Sequence, residues 1–367
     1  MRIAFDAKRA FQNNRGLGNY SRDVIRLLMQ YAPENEYYLM GIPSDSHPAP
    51  SGTHVVSPER WLDRHFPGLW RSGSRCLPQL LQAGVEAYHG LSQELPLHIE
   101  RTSIRTYVTI HDAIFVRYPE LYDPFYVRLF TKKNRRACRV AHRIVCISEQ
   151  TRRDAIAYFG ADERKTCVVY QGCNNRYRVP VSDEQVAAVR QKYNLPKEYI
   201  IDVGAIEERK NLDGLLRALH DGSVDMPLVV VGHDSKYAAK MKRLVSELGM
   251  QGRVQFLHCV AGEDMPALYK GAILSAYPSH FEGFGIPILE AMCVGTPVLT
   301  TRGGCFQETG GEAAMYADSH DVEEMAHCLN SVLGSRQMRE QMIRRGFEQS
   351  ALFADAEVAK NLIRLYE

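Results

Sequence analysis

AILSAYPSHFEGFGIPILEAM, residues 272–292, is the stretch that decides how this chain folds. An apolar, strand-like run (272–277) gives way to a glycine-bearing turn, and Pro287 then supplies the fixed φ that suits the first turn of a helix. The glycines let backbone N–H groups approach a ligand without interference from a Cβ. The positive end of the new helix faces the same ligand. Glu282 stands before the loop and Glu290 eight positions later on the helix, and both can accept hydrogen bonds from hydroxyl groups. An anion cradle with two such acids suits a nucleotide-activated sugar. Two solvated glutamates beside a glycine cap would be the simpler reading of the spacing alone. The full context, Ser279-His280-Phe281-Glu282-Gly283-Phe284-Gly285 followed by Leu289-Glu290-Ala291-Met292, argues against it.

The same strand-then-helix step recurs in both directions from this segment. Strand-like runs fall at 199–203, 228–231, 254–257, 272–277 and 297–300. An earlier series runs through 3–5, 37–40, 107–110, 144–147 and 167–170, with a helix over 20–30 that carries Val24, Leu27 and Leu28 on one face. Alternation of this kind implies β-α units on parallel sheets. A polar stretch at 179–196 separates the two series and is placed as the domain boundary. The expected architecture is α/β: two facing, doubly wound, Rossmann-like domains (1–178 and 179–350) with a cleft between them. Open sheets of this type bind ligands beyond the carboxyl ends of their strands. A closing helix is expected over 354–366, with Asp355 as its cap and Val358, Leu362 and Leu365 on one face.

Composition narrows the function classes. Hydrophobic content of 45% and charged content of 24% are ordinary for a globular protein, and a net charge of +2 gives no general attraction to nucleic acid. Nine scattered cysteines without a Cys-x-x-Cys pair argue for reduced thiols rather than a disulfide framework or zinc site. Residues 1–6 lack a signal-peptide core, and no apolar run approaches the length of a membrane span. The expectation is a cytoplasmic protein that binds no nucleic acid, with room for peripheral contact on the inner face of the membrane.

Stabilising a departing diphosphate calls for cations and oriented N–H groups. Gly204-Ala205-Ile206-Glu207-Glu208-Arg209-Lys210-Asn211 follows a strand and precedes an apolar helix. Arg209 can fork onto phosphate oxygens, and Lys210 can add a compact charge. The alternative is a solvated basic turn. His111 and Asp112 follow the apolar run 108–110, so His111 sits at a strand end where it can meet a sugar hydroxyl, or else satisfy loop carbonyls. Gly16-Leu17-Gly18-Asn19-Tyr20-Ser21 invites a dinucleotide reading. That reading fails because the glycines come after residues 7–15, Ser21 stands where a third glycine belongs, and the second strand ends in Gly41 instead of an acid.

The Glu282–Glu290 segment resembles the Glu-x7-Glu signature of the retaining glycosyltransferases of family 4, and the Gly204…Arg209-Lys210-Asn211 turn looks like that family's phosphate element. The resemblance implies a GT-B-like fold, a closing tail (351–367) that returns to the N-terminal domain, and a hexosyltransferase. It places Arg209 and Lys210 on the diphosphate and Glu290 on the ribose. Glu282 and His111 would lie against the transferred sugar. It assigns the amides of Gly285 and Ile286 to phosphate or sugar oxygens and Val260, at a strand end, to the nucleobase. Gly204 would belong to the phosphate turn, and Gly16 and Gly18 to a flexible loop approaching the diphosphate. Many members carry an arginine directly after the turn's glycine; here the residue is Ala205, so a third cation is missing.

No Asp-x-Asp occurs, so a metal on the diphosphate and a resident cofactor are not expected. The Thr109-Ile110-His111-Asp112 context is most similar to bacterial mannosyltransferases of surface-polysaccharide assembly. This makes GDP-mannose the first donor choice and a saccharide, free or lipid-linked, the acceptor. Two stretches rich in aromatic and basic residues, 60–71 and 125–143, fit either an anionic membrane surface or ordinary solvated helix faces. Other readings of the same architecture are a glycoside phosphorylase, a nucleotide-sugar epimerase and a non-catalytic partner subunit.

Overall fold

Short apolar runs buried on both faces build two all-parallel sheets, as such runs do when helices cover both sides. The structure is a computed structural model that describes residues 1–13 and 16–367. The chain divides into two units, Met1–Gly172 with Ala354–Glu367, and Cys173–Phe353. In the first unit the strands are β1 (Arg2–Asp6), β2 (Glu36–Met40), β3 (His54–Val56), β4 (Ala87–Gly90), β5 (Arg105–Ile110), β6 (Arg143–Cys146) and β7 (Thr166–Val168), in the order β3-β2-β1-β4-β5-β6-β7. The second unit holds β8 (Ile200–Val203), β9 (Leu228–Val231), β10 (Val254–Leu257), β11 (Leu274–Tyr277), β12 (Val298–Thr301) and β13 (Ala314–Ala317), ordered β10-β9-β8-β11-β12-β13. Strand order reverses between β1 and β4 in one sheet and between β8 and β11 in the other. These are the topological switch points, where chain leaving two adjacent strands diverges and opens a crevice.

The sequence did not reveal three of these strands. β3 is a short edge strand with exposed residues, β4 reads Ala-Tyr-His-Gly, and β13 is only partly buried, so none presents a strong apolar run. The polar stretch placed at the boundary is not a linker. It contains a helix, Asp183–Lys192, closed by a capping box between Ser182 and Gln185, and Lys192 pairs with Asp264 of the same unit at 2.6 Å. The division between units falls at Gly172/Cys173, and the tail leaves the second unit after Phe353.

The closing helix, Asp355–Ile363, groups with the first unit and buries Val358, Ala359 and Leu362. Asp355 does not cap it. The N-cap is Ala354, and Asp355 instead accepts from Arg26 at 2.7 Å on the helix Gly16–Tyr31. Each unit has its own core. Leu215, Leu219, Leu244, Leu274 and Leu329 anchor one, and Val108, Ile110, Ile144, Leu80 and Phe159 the other.

Candidate active site

At the switch point of the second unit, the chain leaving β8 reaches Gly204 and ends in the one-turn helix Glu208–Lys210; the chain leaving β11 runs through residues 278–285. Asn211 fastens these two segments together. It adopts φ +59, a left-handed conformation that asparagine tolerates better than most residues. Its Oδ1 accepts from Gly214 N–H at the start of the helix Leu212–Asp221, while its Nδ2 donates to the carbonyls of Pro278 (3.2 Å) and Ser319 (2.7 Å). The His280 N–H also donates to the Arg209 carbonyl. The basic turn is therefore tied to the loop that carries Glu282.

That loop brings three expected site residues together. Glu282 Oε1 lies 2.5 Å from both Arg209 Nη1 and Lys210 Nζ. Lys210 also donates to the Tyr277 hydroxyl (2.7 Å) at the end of β11, and Arg209 to the Phe281 carbonyl (2.7 Å). Burial works to raise the Glu282 carboxyl, but the Lys210 and Arg209 charges outweigh it and hold the group below the usual glutamate range. Glu282 thus pairs with both cations through a single carboxylate oxygen. Beneath the cluster, buried Asp202 on β8 is pushed up to about 7 by desolvation, against the pull of Lys210. Neither Tyr277 nor Asp202 carried a sequence signal beyond its place in a strand.

Gly285 takes φ +93, which an L side chain rarely adopts, and turns the chain into the helix Ile286–Cys293 with Pro287 in its first turn. The first N–H groups of that helix have no partner within it, the usual condition of a helix start. Glu290 lies one turn further on. Tyr269 donates to its Oε2 (3.1 Å), and Tyr177 also bonds to it. The surrounding rings desolvate the carboxyl and push it up to about 7. Glu282 and Glu290 share one loop-helix element yet have opposite surroundings: one is matched by cations, the other ringed by phenols. Tyr177 and Tyr269 are distant in sequence from the Glu290 segment, and no local pattern announced them. Val260 is part-buried just beyond β10, and a Cβ at Gly204 would make only ordinary contact with the Lys210 stem.

In the first unit, His111 leaves β5 and is 6% exposed. Its Nε2 lies 2.7 Å from the Leu91 carbonyl, and burial holds the ring near a pKa of about 4. A carbonyl only accepts, so Nε2 carries the proton, and the neutral ring keeps Nδ1 as an acceptor. Tyr20 packs edge-on against His111 at 4.7 Å. Behind it, the Tyr20 hydroxyl meets Thr109 Oγ1 (3.2 Å), Thr109 meets His89 Nε2 (2.8 Å), and His89 Nδ1 meets the Tyr366 hydroxyl (2.7 Å). The tail thereby reaches the histidine through a polar chain. Gly16 and Gly18 fall within the first turn of the helix Gly16–Tyr31 rather than in a loop. A Cβ at Gly18 would sit 1.7 Å from the Asn13 carbonyl oxygen, so close packing requires that glycine. Among the described residues, no group of three or more His, Cys, Asp or Glu side chains is arranged to hold a metal ion, and no helix is long and apolar enough to cross a membrane.

Both units have a doubly wound parallel sheet with a switch point, and comparison with known proteins identifies the family. The family model described as "Glycosyl transferases group 1" matches residues 185–349, and that described as "Glycosyltransferase Family 4" matches residues 15–176. An O-antigen chain mannosyltransferase B of Escherichia coli is 32% identical over 286 residues, covering 76% of this chain and 74% of its own. Among solved structures, the sucrose-phosphate synthase of Thermosynechococcus elongatus superposes with a TM-score of 0.78 at 20% identity, over 100% of this chain and 98% of that one. Anabaena HepE in complex with UDP gives 0.76 at 18% identity, over 100% and 99%. These likenesses establish the GT-B fold, and with the family matches they place the chain among the group 1 glycosyltransferases of family 4.

Proposed function

We propose that this glycosyltransferase moves a hexose, mannose as the first choice, from GDP-mannose to a hydroxyl of a saccharide acceptor, free or lipid-linked, with retention of anomeric configuration and without a metal. The observation that carries this reading is the Arg209–Glu282–Lys210 cluster at the β8/β11 switch point, next to the amide-bearing start of the helix Ile286–Cys293. Two cations and a helix N-terminus are the groups that stabilise a departing diphosphate. An incoming diphosphate competes with Glu282 for Arg209 and Lys210 and frees the carboxylate to turn toward the sugar hydroxyls. Glu290 accepts from the ribose hydroxyls, and Gly285 and Ile286 donate amides to phosphate or sugar oxygens. The base lies near Val260, and Gly204 lets the phosphate turn approach closely. His111, through its unprotonated Nδ1, accepts from a donor-sugar hydroxyl, with Gly16 and Gly18 beginning the helix that flanks it. Because the structure gives Glu282 cationic partners, it is not assigned as a nucleophile. Front-face displacement, in which the leaving diphosphate helps deprotonate the acceptor, is the mechanism favoured.

The mannose and saccharide-acceptor choices draw support from the O-antigen chain mannosyltransferase. A peripheral membrane contact rests less on the basic segment than its sequence implies. Lys133 pairs with Glu94, Arg136 with Glu100, and Arg135 donates to the Tyr158 carbonyl. The stronger support comes from exposed apolar side chains on the same unit, Trp61, Leu69 and Phe125 among them.

Thermal unfolding with GDP, UDP, ADP, dTDP and CMP tests the donor assignment. One diphosphate should raise the melting temperature of the wild type, and much less that of Glu290→Ala. No shift with any nucleotide, in a chain that melts cooperatively, would count against the reading. Proton NMR of the first-formed product tests retention.

A further inference from the structure

The switch point of the first unit carries a second charged site. β1 ends at Asp6 and leads directly to Ala7, Lys8 and Arg9; β4 ends at Gly90 and leads to Leu91, Ser92, Gln93 and Glu94. A Cβ at Gly90 would lie 2.0 Å from the Glu94 carbonyl oxygen, so this second turn is tight. The acids here are already satisfied. Asp6 accepts from Arg71 (2.7 Å) and Ser92 (2.6 Å), and Glu94 accepts from Arg71 (2.7 Å) and Lys133 (2.9 Å).

Lys8 and Arg9 form no ion pair with any described residue, although both are half-buried. Burial first, then the Arg71 and Arg9 charges, hold the Lys8 ammonium below its usual value despite Asp6 and Glu94. The Arg9 charge also acts on His111 and on Tyr126. Gln93, at φ +64, has a buried Oε1 with no partner. Two adjacent, half-buried cations with no carboxylate in ion-pair contact among the described residues are a costly arrangement in the free protein. Open sheets of this kind take their ligands at the switch point.

We infer that Lys8 and Arg9 bind a phosphate group of a substrate at the β1/β4 switch point, beside His111. A guanidinium fork next to a compact ammonium suits phosphate oxygens better than it suits a neutral sugar. The phosphate belongs either to the acceptor or to the donor nucleotide, and the sugar-transfer reading above bears only on that choice.

Calorimetric titration of the full chain with inorganic phosphate, GDP, UDP and farnesyl diphosphate decides the matter. Lys8→Gln/Arg9→Gln should weaken at least one of these by about tenfold or more, the usual effect of losing a hydrogen bond to a charged group. Lys8→Arg/Arg9→Lys, which keeps both charges, should restore much of the loss. Arg128→Gln/Arg139→Gln, at exposed cations of the same unit, should change none of the affinities. Loss confined to farnesyl diphosphate assigns the site to an acceptor phosphate, and loss confined to the nucleotides assigns it to the donor. Equal affinities in the glutamine variant and the wild type, at unchanged melting temperature, overturn the inference. Nucleotide binding that still depends on Glu290 would then leave the donor reading standing. Failure of the wild type to bind any nucleotide would instead remove the donor reading and leave Lys8 and Arg9 to be judged on the other two probes.

Discussion

The two switch points occupy the same topological place in their sheets yet handle charge in opposite ways. Between β8 and β11, Glu282 pairs with both Arg209 and Lys210, and Glu207 lies 3.7 Å from Arg209, so both cations have acidic partners within the unit. Between β1 and β4, Asp6 and Glu94 are taken by Arg71 and Lys133, which leaves Lys8 and Arg9 over, and the nearby His111 is neutral. An internally paired site keeps its geometry without ligand at the expense of some binding energy. An unpaired site binds an anion more readily but is less stable while empty. Mutation should therefore affect stability more in the second unit and affinity more in the first.

The largest expected effect follows from removing the shared carboxylate. Glu282→Gln leaves two part-buried cations with only the longer Glu207 contact to Arg209 (3.7 Å), which should destabilise the second unit by roughly 3 kcal/mol. A nucleoside diphosphate should recover more melting temperature in this variant than in the wild type, because the Glu282 carboxylate no longer competes with it for the cations. Equal recovery in both would mean that Glu282 does not gate the cations, and the contrast between the sites would fail. Arg209→Ala comes next. Loss of one preorganised donor to a developing charge should lower kcat by about a hundredfold, or ~3 kcal/mol. Unchanged turnover would remove Arg209 from the diphosphate.

The candidate site of the second unit also predicts a pH dependence of its own. Glu290 is held up to about 7 by burial, and so is Asp202. Both carboxyls are raised, so the folded chain binds more protons than the unfolded one between the ordinary carboxylate range and about pH 7. Their contribution to stability is therefore present at low pH and is lost as pH rises through that window. Nucleotide binding runs the other way. In the proposed function ribose hydroxyls donate to ionised Glu290; on that reading affinity should fall by up to about tenfold per pH unit below 7, with proton release on binding at neutral pH. Calorimetry in buffers of different ionisation enthalpy reads that release. Glu290→Gln should flatten the profile, whereas Asp202→Asn should leave it in place.

The difference between the sites also explains what the sequence disclosed. Glu282, Gly285, Glu290, Arg209 and Lys210 stand in two short segments, each supplied by one strand end, so the local sequence context and the family resemblance it carries exposed them. The environment of the two glutamates was not legible, because Tyr177, Tyr269 and Tyr277 arrive from separate elements and only tertiary packing unites them around the carboxylates. In the first unit the His111-Asp112 strand end could be read, but the roles of Lys8 and Arg9 could not. Their significance depends on Arg71 and Lys133 having already claimed the acids, a matter of long-range pairing. The strands β1, β2, β5 and β6 showed as apolar runs. β4 did not, since a buried histidine satisfied by Thr109 and Tyr366 takes a place that an aliphatic residue would have advertised.

That histidine supplies the smallest test of the contrast. Tyr366→Phe removes only the hydroxyl that meets His89 Nδ1, at the far end of the chain Tyr366–His89–Thr109–Tyr20 behind His111. The lost bond should cost about 1 kcal/mol, read as a lower urea midpoint at unchanged slope. If the chain only stabilises the first unit, turnover at saturating substrate stays at the wild-type value once the folded fraction is accounted for. If it also fixes the orientation of His111, kcat drops a few-fold with little change in nucleotide affinity, and the His111 imidazole resonances move. The second result would make the tail a positioning element for catalysis, since Tyr366, just beyond the closing helix, would set the ring proposed to meet the donor sugar.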